Sequence, residues 1–254
     1  MKAKAVILAF AATVSLMAHS ATAATEEIRT EIKPIQFNGD INWLAFDLPN
    51  VQIRYFSQDQ VAVWQHIDVN LIKQISYNVA RILYKEEHKA PKLPLLEIVL
   101  EDMDGVAYKE GDFSGAKIHI SAQYLNKYKL THSPQAVYDE LIGILYHEIA
   151  HAYQLDDHNY KEIGPVIEGI ADVVRMKGGY VDFSSRKQGG NYDSGYKTTA
   201  FFLHWLESNH HPDLLVELNA QLDPHDKKKW SWGSFSKEKN INLDIAWSNY
   251  QKSL

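Results

Sequence analysis

The stretch from Ser133 to Tyr153 constrains the structure of this chain more than any other. Ser133-Pro134 is a helix-start signal, because serine caps helix N-termini and proline suits the first turn. Apolar residues then recur at helical spacing from Val137 to Tyr153. The sequence therefore predicts a helix across this stretch, and the helix carries an unusual set of polar residues.

Two histidines lie one turn apart in that helix, within the sequence YHEIAHAYQ. At 3.6 residues per turn, His147 and His151 share one face, where two imidazoles can bind a single Zn²⁺. Glu148 is rotated by about 100° from His147, so it borders this face without ligating the metal itself. Since Zn²⁺ lowers the pKa of bound water to about 7, Glu148 is predicted to accept the proton of that water as general base. The five-residue pattern also arises by chance in unrelated proteins.

A catalytic zinc needs a third protein ligand, and the downstream segment VIEGIADVVR offers one. A helix is predicted over 166–176, opened by Gly164-Pro165 and stopped by Gly178-Gly179. Glu168 follows His151 by seventeen residues, enough for a loop and the start of this helix. We predict Glu168 as the third ligand.

Asp172 lies four residues beyond Glu168, on the same helical face. It is predicted to accept the free ring N–H of a ligand histidine, most directly His147, and so to orient the ring. Two alternatives stay open. Both carboxylates can simply face solvent, or Asp157 or His158 can be the third ligand, although Gln154 replaces the glycine that this second pattern requires.

The composition is that of a soluble globular protein. The chain has 254 residues, of which 23% are charged and 45% hydrophobic, and a formal net charge of -6. The acidic balance argues against a nucleic-acid or anionic-membrane partner. The length suits one large domain or two lobes that share a cleft.

The first 23 residues are predicted to be a signal peptide. Lys2 and Lys4 precede an apolar run, 5–17, that is too short to span a bilayer, and Ala21-Thr22-Ala23 fits a cleavage site after Ala23. The mature protein, 24–254, is therefore expected to be secreted or periplasmic. With no cysteine, it must be held by its core or by a metal. No later stretch is predicted to span a membrane.

The remaining pattern favours an α+β fold, with a sheet lobe over about 24–130 and a helical lobe over about 131–254. Strands are predicted at 28–37, 50–56, 95–100 and 117–121, with one long helix at 70–84. Further helices are predicted at 198–207, 212–222 and 243–250.

Three blocks in order, LIGILYHEIAHAYQ, GPVIEGIADVVRMKGGY and YDSGYKTTAFFLHWLE, resemble the plant basic secretory protein family and its bacterial relatives. An upstream block, DGVAYKEGDFSGAKIHISAQYL, is similar to that family too, so the resemblance extends from about Leu95 to the C-terminus. The acidic charge departs from the family's basic name. Whether the chain shares the family's partners is therefore an open question, but the charge does not affect the predicted metal chemistry.

The resemblance implies a zinc peptidase of the gluzincin kind. His147 and His151 would then be ligands, Glu148 the base, and Glu168 and Asp172 the Glu-x-x-x-Asp element. It also implies a zincin-like architecture in which the active-site helix lies between the two lobes. The edge strand of the sheet would bind a peptide or protein substrate, and 117–121 is the candidate.

Peptide hydrolysis also needs a donor to the developing oxyanion, for which Tyr196 is the candidate; Tyr196 is otherwise an ordinary packing residue. Besides a zinc peptidase, the sequence leaves open a zinc-binding but non-proteolytic recognition, envelope or stress protein. It also leaves open a purely structural helix pair.

Overall fold

A computed structural model describes residues 27–35, Phe37 and 43–254 of the chain. The predicted signal peptide, 1–23, lies outside the described residues. The described part contains one four-stranded mixed sheet and eight α-helices. The predicted α+β class is therefore confirmed.

The sheet has three parallel strands and one antiparallel edge strand. Its spatial order is β1-β2-β4-β3, in which β2 pairs in parallel with β1 and β4, and β3 pairs antiparallel with β4. Alternate residues of β2 and β4 are fully buried against the helices, as the two-residue period of a strand requires. The bounds are β1 Asn50–Tyr55, β2 Leu95–Glu101, β3 Ala107–Asp112 and β4 Gly115–Ser121.

The predicted edge strand is wrong. Residues 117–121 belong to β4, which is hydrogen-bonded on both sides, whereas β3 forms the edge beyond it. The sequence of β3, AYKEGD, has no apolar alternation, so its pattern did not indicate a strand. It pairs because a turn at residues 113–114 folds it back on β4, with Asp112 opposite Gly115.

Two of the eight helices contact the sheet, and most of the others pack on these two or on one another. The predicted helices are confirmed within a few residues except at the start of α4, whereas α2 and α7 were not predicted. The bounds are α1 Val69–Leu83, α2 Ala122–Tyr128, α3 Pro134–Tyr153, α4 Tyr160–Lys177, α5 Tyr196–Asn209, α6 Leu214–Ala220, α7 Trp232–Lys239 and α8 Leu243–Lys252.

Helix α3 lies between the sheet and the other helices. It contacts β3 and β4 on one side and α1 and α4 on the others, and nearly all of its residues from Val137 onward are buried. The Ser133 hydroxyl accepts a hydrogen bond from Ala136 N (3.2 Å), and Pro134 occupies the first turn, as predicted. A helix buried on all sides holds its polar side chains in fixed positions.

Helix α4 begins earlier than predicted. It starts at Tyr160 rather than at residue 166, with Pro165 inside it. The first turn forms because the carbonyl of Asn159 accepts hydrogen bonds from the N–H groups of Glu162 (3.0 Å) and Ile163 (3.1 Å). Pro165 lies within the second turn, so it removes one backbone bond without ending the helix.

The predicted first strand, 28–37, is also wrong. Residues 27–35 and Phe37, which are the described part of that range, form no strand. Instead this segment lies across α3 and the end of α4. The Tyr138 hydroxyl donates to Thr30 O (2.9 Å), and Lys33 N donates to the Tyr180 hydroxyl (3.1 Å). Side chains therefore pair with backbone groups that a neighbouring strand would otherwise have satisfied.

Among the helices of the described residues, none is both long enough and apolar enough to cross a bilayer.

Candidate metal centre

Helices α3 and α4 run antiparallel and face each other through three pairs of polar side chains. In sequence order along α3 and in reverse order along α4, the pairs are Glu140 with Arg175 (2.6 Å), His147 with Asp172 (2.9 Å) and His151 with Glu168 (3.5 Å). The loop 154–159 makes this antiparallel approach possible. The two rows bring together four of the residues that the sequence singled out.

Three potential ligand atoms converge between the two helices. His147 Nε2 lies 3.1 Å from Glu168 Oε2 and 3.1 Å from His151 Nε2, and His151 Nε2 lies 3.5 Å from Glu168 Oε2. Glu168 and His147 are only 8% and 9% exposed. The structure thus brings together a histidine pair and a carboxylate in a site with little access to water.

This arrangement fits a tetrahedral metal. Bonds of about 2.0–2.2 Å to Zn²⁺ place neighbouring tetrahedral ligand atoms about 3.3–3.5 Å apart, close to the three observed separations. His147 Nδ1 faces Asp172, a carboxylate that can only accept, so in the neutral ring the Nε2 atom carries a lone pair. That lone pair then points at a second imidazole and a second carboxylate, so the three residues can hold either a metal ion or a proton on His147.

The pKa values of these residues also indicate that the site favours a positive charge. Burial lowers the pKa of His147, but hydrogen bonds to Asp172 and Glu168 outweigh it and hold that pKa well above its ordinary value. Burial also raises the pKa of Glu168, yet its hydrogen bonds to His147 and His151 bring the pKa below its usual range. The protein therefore stabilises a positive charge between these residues.

Glu148 borders the site without joining it. Its side chain is 6% exposed, and its Oε2 atom has no hydrogen-bond partner among the described residues. Burial raises the pKa of this carboxyl group, an effect that the neighbouring histidines partly offset. A buried acceptor without a partner is costly in a folded protein. This one belongs to a residue that lines the same cavity as both histidines.

Tyr160 binds the oxygen of Glu168 that does not face the histidines. Its hydroxyl donates to Glu168 Oε1 across 2.6 Å. The tyrosine ring runs along α4 over Gly164, where a Cβ atom would lie 3.6 Å from the ring. The two oxygens of Glu168 consequently have different partners, one the phenol and the other the histidine pair.

Tyr196 lies over the opposite side of His147. The two rings are parallel within 5°, with centroids 6.4 Å apart, and the tyrosine is 59% exposed. Tyr196 has a φ of 44°, a left-handed conformation that a bulky side chain rarely adopts. Such local strain is typical of functional positions. The negative charge of Glu168, followed by burial, raises the pKa of Tyr196, so the phenol keeps its proton at neutral pH.

The alternative third ligands lie elsewhere. Asp157 accepts a hydrogen bond from Trp230 N (3.0 Å), and His158 is exposed and faces the ring of His225 at 6.3 Å. Glu168, in contrast, lies with His147 and His151 in a group whose ligand atoms are all within 4.8 Å of one another. Of the three alternatives, Glu168 is the one that the structure places beside the histidines.

A cavity of about 860 Å³ contains this site. Its lining includes Ala107, Tyr108 and Lys109 of the edge strand β3, together with Tyr160 and Tyr196. Both histidines and Glu148 line the same cavity. The volume is in the range of small-molecule and peptide sites.

A family model described as "Peptidase of plants and bacteria" (BSP) matches residues 58–240. The chain belongs to this family. The resemblance predicted from the sequence is therefore confirmed, and a peptidase activity belongs to the BSP family by its description. The match covers every residue discussed above as part of the site. No curated protein and no solved structure matches the chain.

Sequence reasoning missed three parts of the BSP cavity: Tyr160, strand β3, and the pair Glu140 and Arg175. Tyr160 was missed because Gly164-Pro165 appeared to open the helix, which left the tyrosine in a loop. Glu140 carried a findable signal, since it lies seven residues before His147 on the same face of the predicted helix. Strand β3 carried none in its polar sequence.

Proposed function

We propose that this protein is an exported zinc metallopeptidase with a zincin-like architecture. His147, His151 and Glu168 would hold Zn²⁺, with Asp172 orienting His147. The observation that carries the proposal is the convergence of three acceptor atoms, 3.1–3.5 Å apart, beside a buried carboxylate without a partner. The description of the BSP family agrees with it.

When bound, Zn²⁺ supplies Lewis acidity, which lowers the pKa of water to about 7 and polarises a carbonyl group. The residues of the chain do the rest. Glu148 accepts a proton from the attacking water and later gives it to the leaving amine nitrogen, as the C–N bond of the peptide breaks and a C–O bond forms. Burial, which keeps this carboxylate away from bulk water, makes it a stronger base.

Tyr196 would donate its O–H to the developing oxyanion. Its ring lies parallel to that of His147, and its pKa is raised, so the proton is available. Tyr160 is already engaged with Glu168, which leaves Tyr196 as the freer of the two phenols. A preorganised donor of this kind typically contributes about 10²–10³ in kcat.

The edge strand β3 would bind the substrate backbone. As the last strand of the sheet, it has one row of N–H and C=O groups not paired with β4, and it forms one wall of the cavity. An extended peptide can add to such an edge as a further strand. This replaces the predicted role of 117–121.

The test is metal analysis together with hydrolysis of a peptide library by the zinc-loaded protein and by the variant Glu148→Gln. We expect one Zn²⁺ per chain in both proteins and loss of hydrolysis in the variant. Normal hydrolysis by the variant would rule out the mechanism. Zinc binding without hydrolysis of any peptide would favour a recognition protein instead. A precursor that keeps residues 1–23 after expression in a secreting host would argue against export.

A further inference from the structure

The cavity continues beyond His147, along α3, into a recess that contains an ion pair. Arg175 Nη2 donates to Glu140 Oε2 across 2.6 Å, and the Tyr124 hydroxyl donates to Glu140 Oε1 across 2.9 Å. Together with Ile144, these residues line the same cavity as His147 and Glu148. We call these four residues, Tyr124, Glu140, Ile144 and Arg175, the charged recess.

The guanidinium of Arg175 is held in one place. Its Nε donates to Tyr180 O across 3.1 Å. It also lies against α3 at Gly143, where a Cβ atom would be only 2.7 Å from Nε. The side chains of Arg175 and Glu140 are just 12% and 16% exposed. The recess therefore presents its charges in a fixed geometry rather than on mobile side chains.

The ion pair leaves hydrogen-bond donors in excess. An arginine has five N–H donors, and two of those of Arg175 have partners among the described residues. Both oxygens of Glu140 already accept a hydrogen bond. An apolar side chain that enters the recess would remove water from the remaining donors and leave them unpaired, whereas a carbonyl-type oxygen would pair with them.

The direction of β3 indicates which part of a substrate meets the recess. Val106 O, just before β3, accepts from Ser121 N (2.9 Å), and Ser121 caps the helix that carries Tyr124. Lys109, further along β3, is near the charges of Asp156 and Glu148. A peptide added antiparallel to β3 thus runs from Lys109 towards Val106, and its C-terminal part passes the recess.

The recess lies along α3 from the histidines. Glu140 precedes His147 by seven residues, which is about 10 Å along the axis of α3. A side chain of glutamine or glutamate length next to the scissile bond reaches further towards the ion pair than a short side chain does. Ile144, between Glu140 and His147, provides an apolar surface for the methylene groups.

We propose that the charged recess is a specificity site for the residue that follows the scissile bond. It selects a long side chain ending in a carboxamide or carboxylate. The inference rests on the proposed peptidase function and names its substrate class. Arg175 is the donor, and Glu140 neutralises it so that a neutral carboxamide is accepted as well as a carboxylate.

The experiment uses four peptides that differ only at this position, where they carry glutamine, glutamate, methionine or lysine. With the zinc-loaded protein, kcat/KM for glutamine and glutamate should exceed that for methionine by about tenfold or more, the effect of one hydrogen bond to a charged donor. Glu140→Gln leaves the positive charge of Arg175 uncompensated, so it should raise the glutamate-to-glutamine ratio by about tenfold. Equal rates for methionine and glutamine would overturn the inference, as would an unchanged ratio in Glu140→Gln.

Glu207→Gln is the matched control. Glu207 forms a comparable ion pair with Lys177 (2.7 Å), outside the cavity lining. This variant should leave all four relative rates unchanged. A shift as large as in Glu140→Gln would mean that the ratio reports general loss of an ion pair and would overturn the assignment of the recess.

Calorimetric binding of the same peptides to zinc-loaded Glu148→Gln separates this inference from the proposed function. Selective binding without hydrolysis by the native protein supports the recess and refutes the peptidase. Hydrolysis with a preference for methionine supports the peptidase function and refutes the proposed role of the recess. If the peptides show no selective binding and no hydrolysis, both the recess and the peptidase function are overturned.

Discussion

Tyr160 donates its hydroxyl to Glu168 Oε1 across 2.6 Å, while Oε2 of the same carboxylate lies 3.1 Å from His147 Nε2. The phenol thereby fixes the rotation of the carboxylate and leaves one oxygen facing the histidines. In the proposed metal centre, Glu168 would bind through a single oxygen.

Tyr160→Phe removes this hydrogen bond and keeps the ring. We expect the affinity for Zn²⁺ to fall by about tenfold or more, as for other residues that orient metal ligands. Competition with a chromophoric chelator measures the change. Tyr55→Phe is the control, because the Tyr55 hydroxyl also donates one hydrogen bond, to Asp59 O, but lies outside the cavity lining. Equal affinities of the two variants would contradict the role of Tyr160.

The raised pKa of His147 predicts how metal affinity depends on pH. In the metal-free protein, the protonated ring contributes stability that is fully present below the unfolded pKa of about 6.5 and is lost as the pH rises through the higher folded pKa. Zn²⁺ competes with that proton. Its affinity should therefore rise by about tenfold per pH unit from pH 6.5 up to the folded pKa.

Asp172→Asn tests the cause of this dependence. Asp172 accepts from His147 Nδ1 (2.9 Å) and favours the charged ring, so its loss should lower the pKa of His147. We expect a shallower rise of metal affinity with pH, together with a weaker affinity overall. Isothermal titration at pH 7, 8 and 9 in two buffers gives both the affinity and the number of protons released. The same proton release as in the native protein would contradict the assignment.

Tyr196→Phe should lower kcat by about 10²–10³ and leave KM nearly unchanged, because an oxyanion donor acts in the transition state. Tyr192→Phe, in the loop just before α5, is the control; its ring packs on Trp232 with centroids 5.2 Å apart. Steady-state kinetics on one peptide substrate compare the two. A higher KM with normal kcat in Tyr196→Phe would instead indicate a substrate-binding role.

Gly169→Ala should destabilise the contact between α4 and α5. A Cβ atom there would lie 2.6 Å from Thr199 Cγ2, and Thr199 is fully buried. Overpacking of this kind costs about 1–3 kcal/mol. Gly164→Ala in the same helix meets nothing closer than 3.6 Å and should not lower the stability. Urea unfolding measures the stability of the two variants, and the midpoint of Gly169→Ala should be the lower. Equal midpoints would show that α5 moves freely away from α4.

The sequence predicted the elements whose patterns are local. Helices α1, α3 and α5 and three strands were predicted because apolar periodicity and helix-start residues are properties of short stretches. Strand β3 was not, since its polar sequence becomes a strand only by pairing with β4. The start of α4 was misplaced because Gly164-Pro165 is a breaker signal in isolation, whereas Asn159 closes an earlier turn.

The candidate site divides in the same way. Helical spacing put His147 and His151 on one face, and the four-residue interval paired Glu168 with Asp172. The bond from Tyr160 to Glu168 and the ion pair of Arg175 with Glu140 depend on how α4 approaches α3. That approach depends on packing at Gly143 and on the loop 154–159, which no residue pattern encodes.

All three converging ligand atoms belong to residues 147–168, whereas β1 pairs with β2 some forty-five positions further along the chain. Contacts that are close in sequence form sooner than distant ones, because a short loop loses less entropy on closing. With Zn²⁺ bound as proposed, the helical hairpin would capture the ion before the sheet is complete. The ion would then act as a nucleus around which later segments assemble, so zinc supply would govern the rate of maturation as well as the final activity.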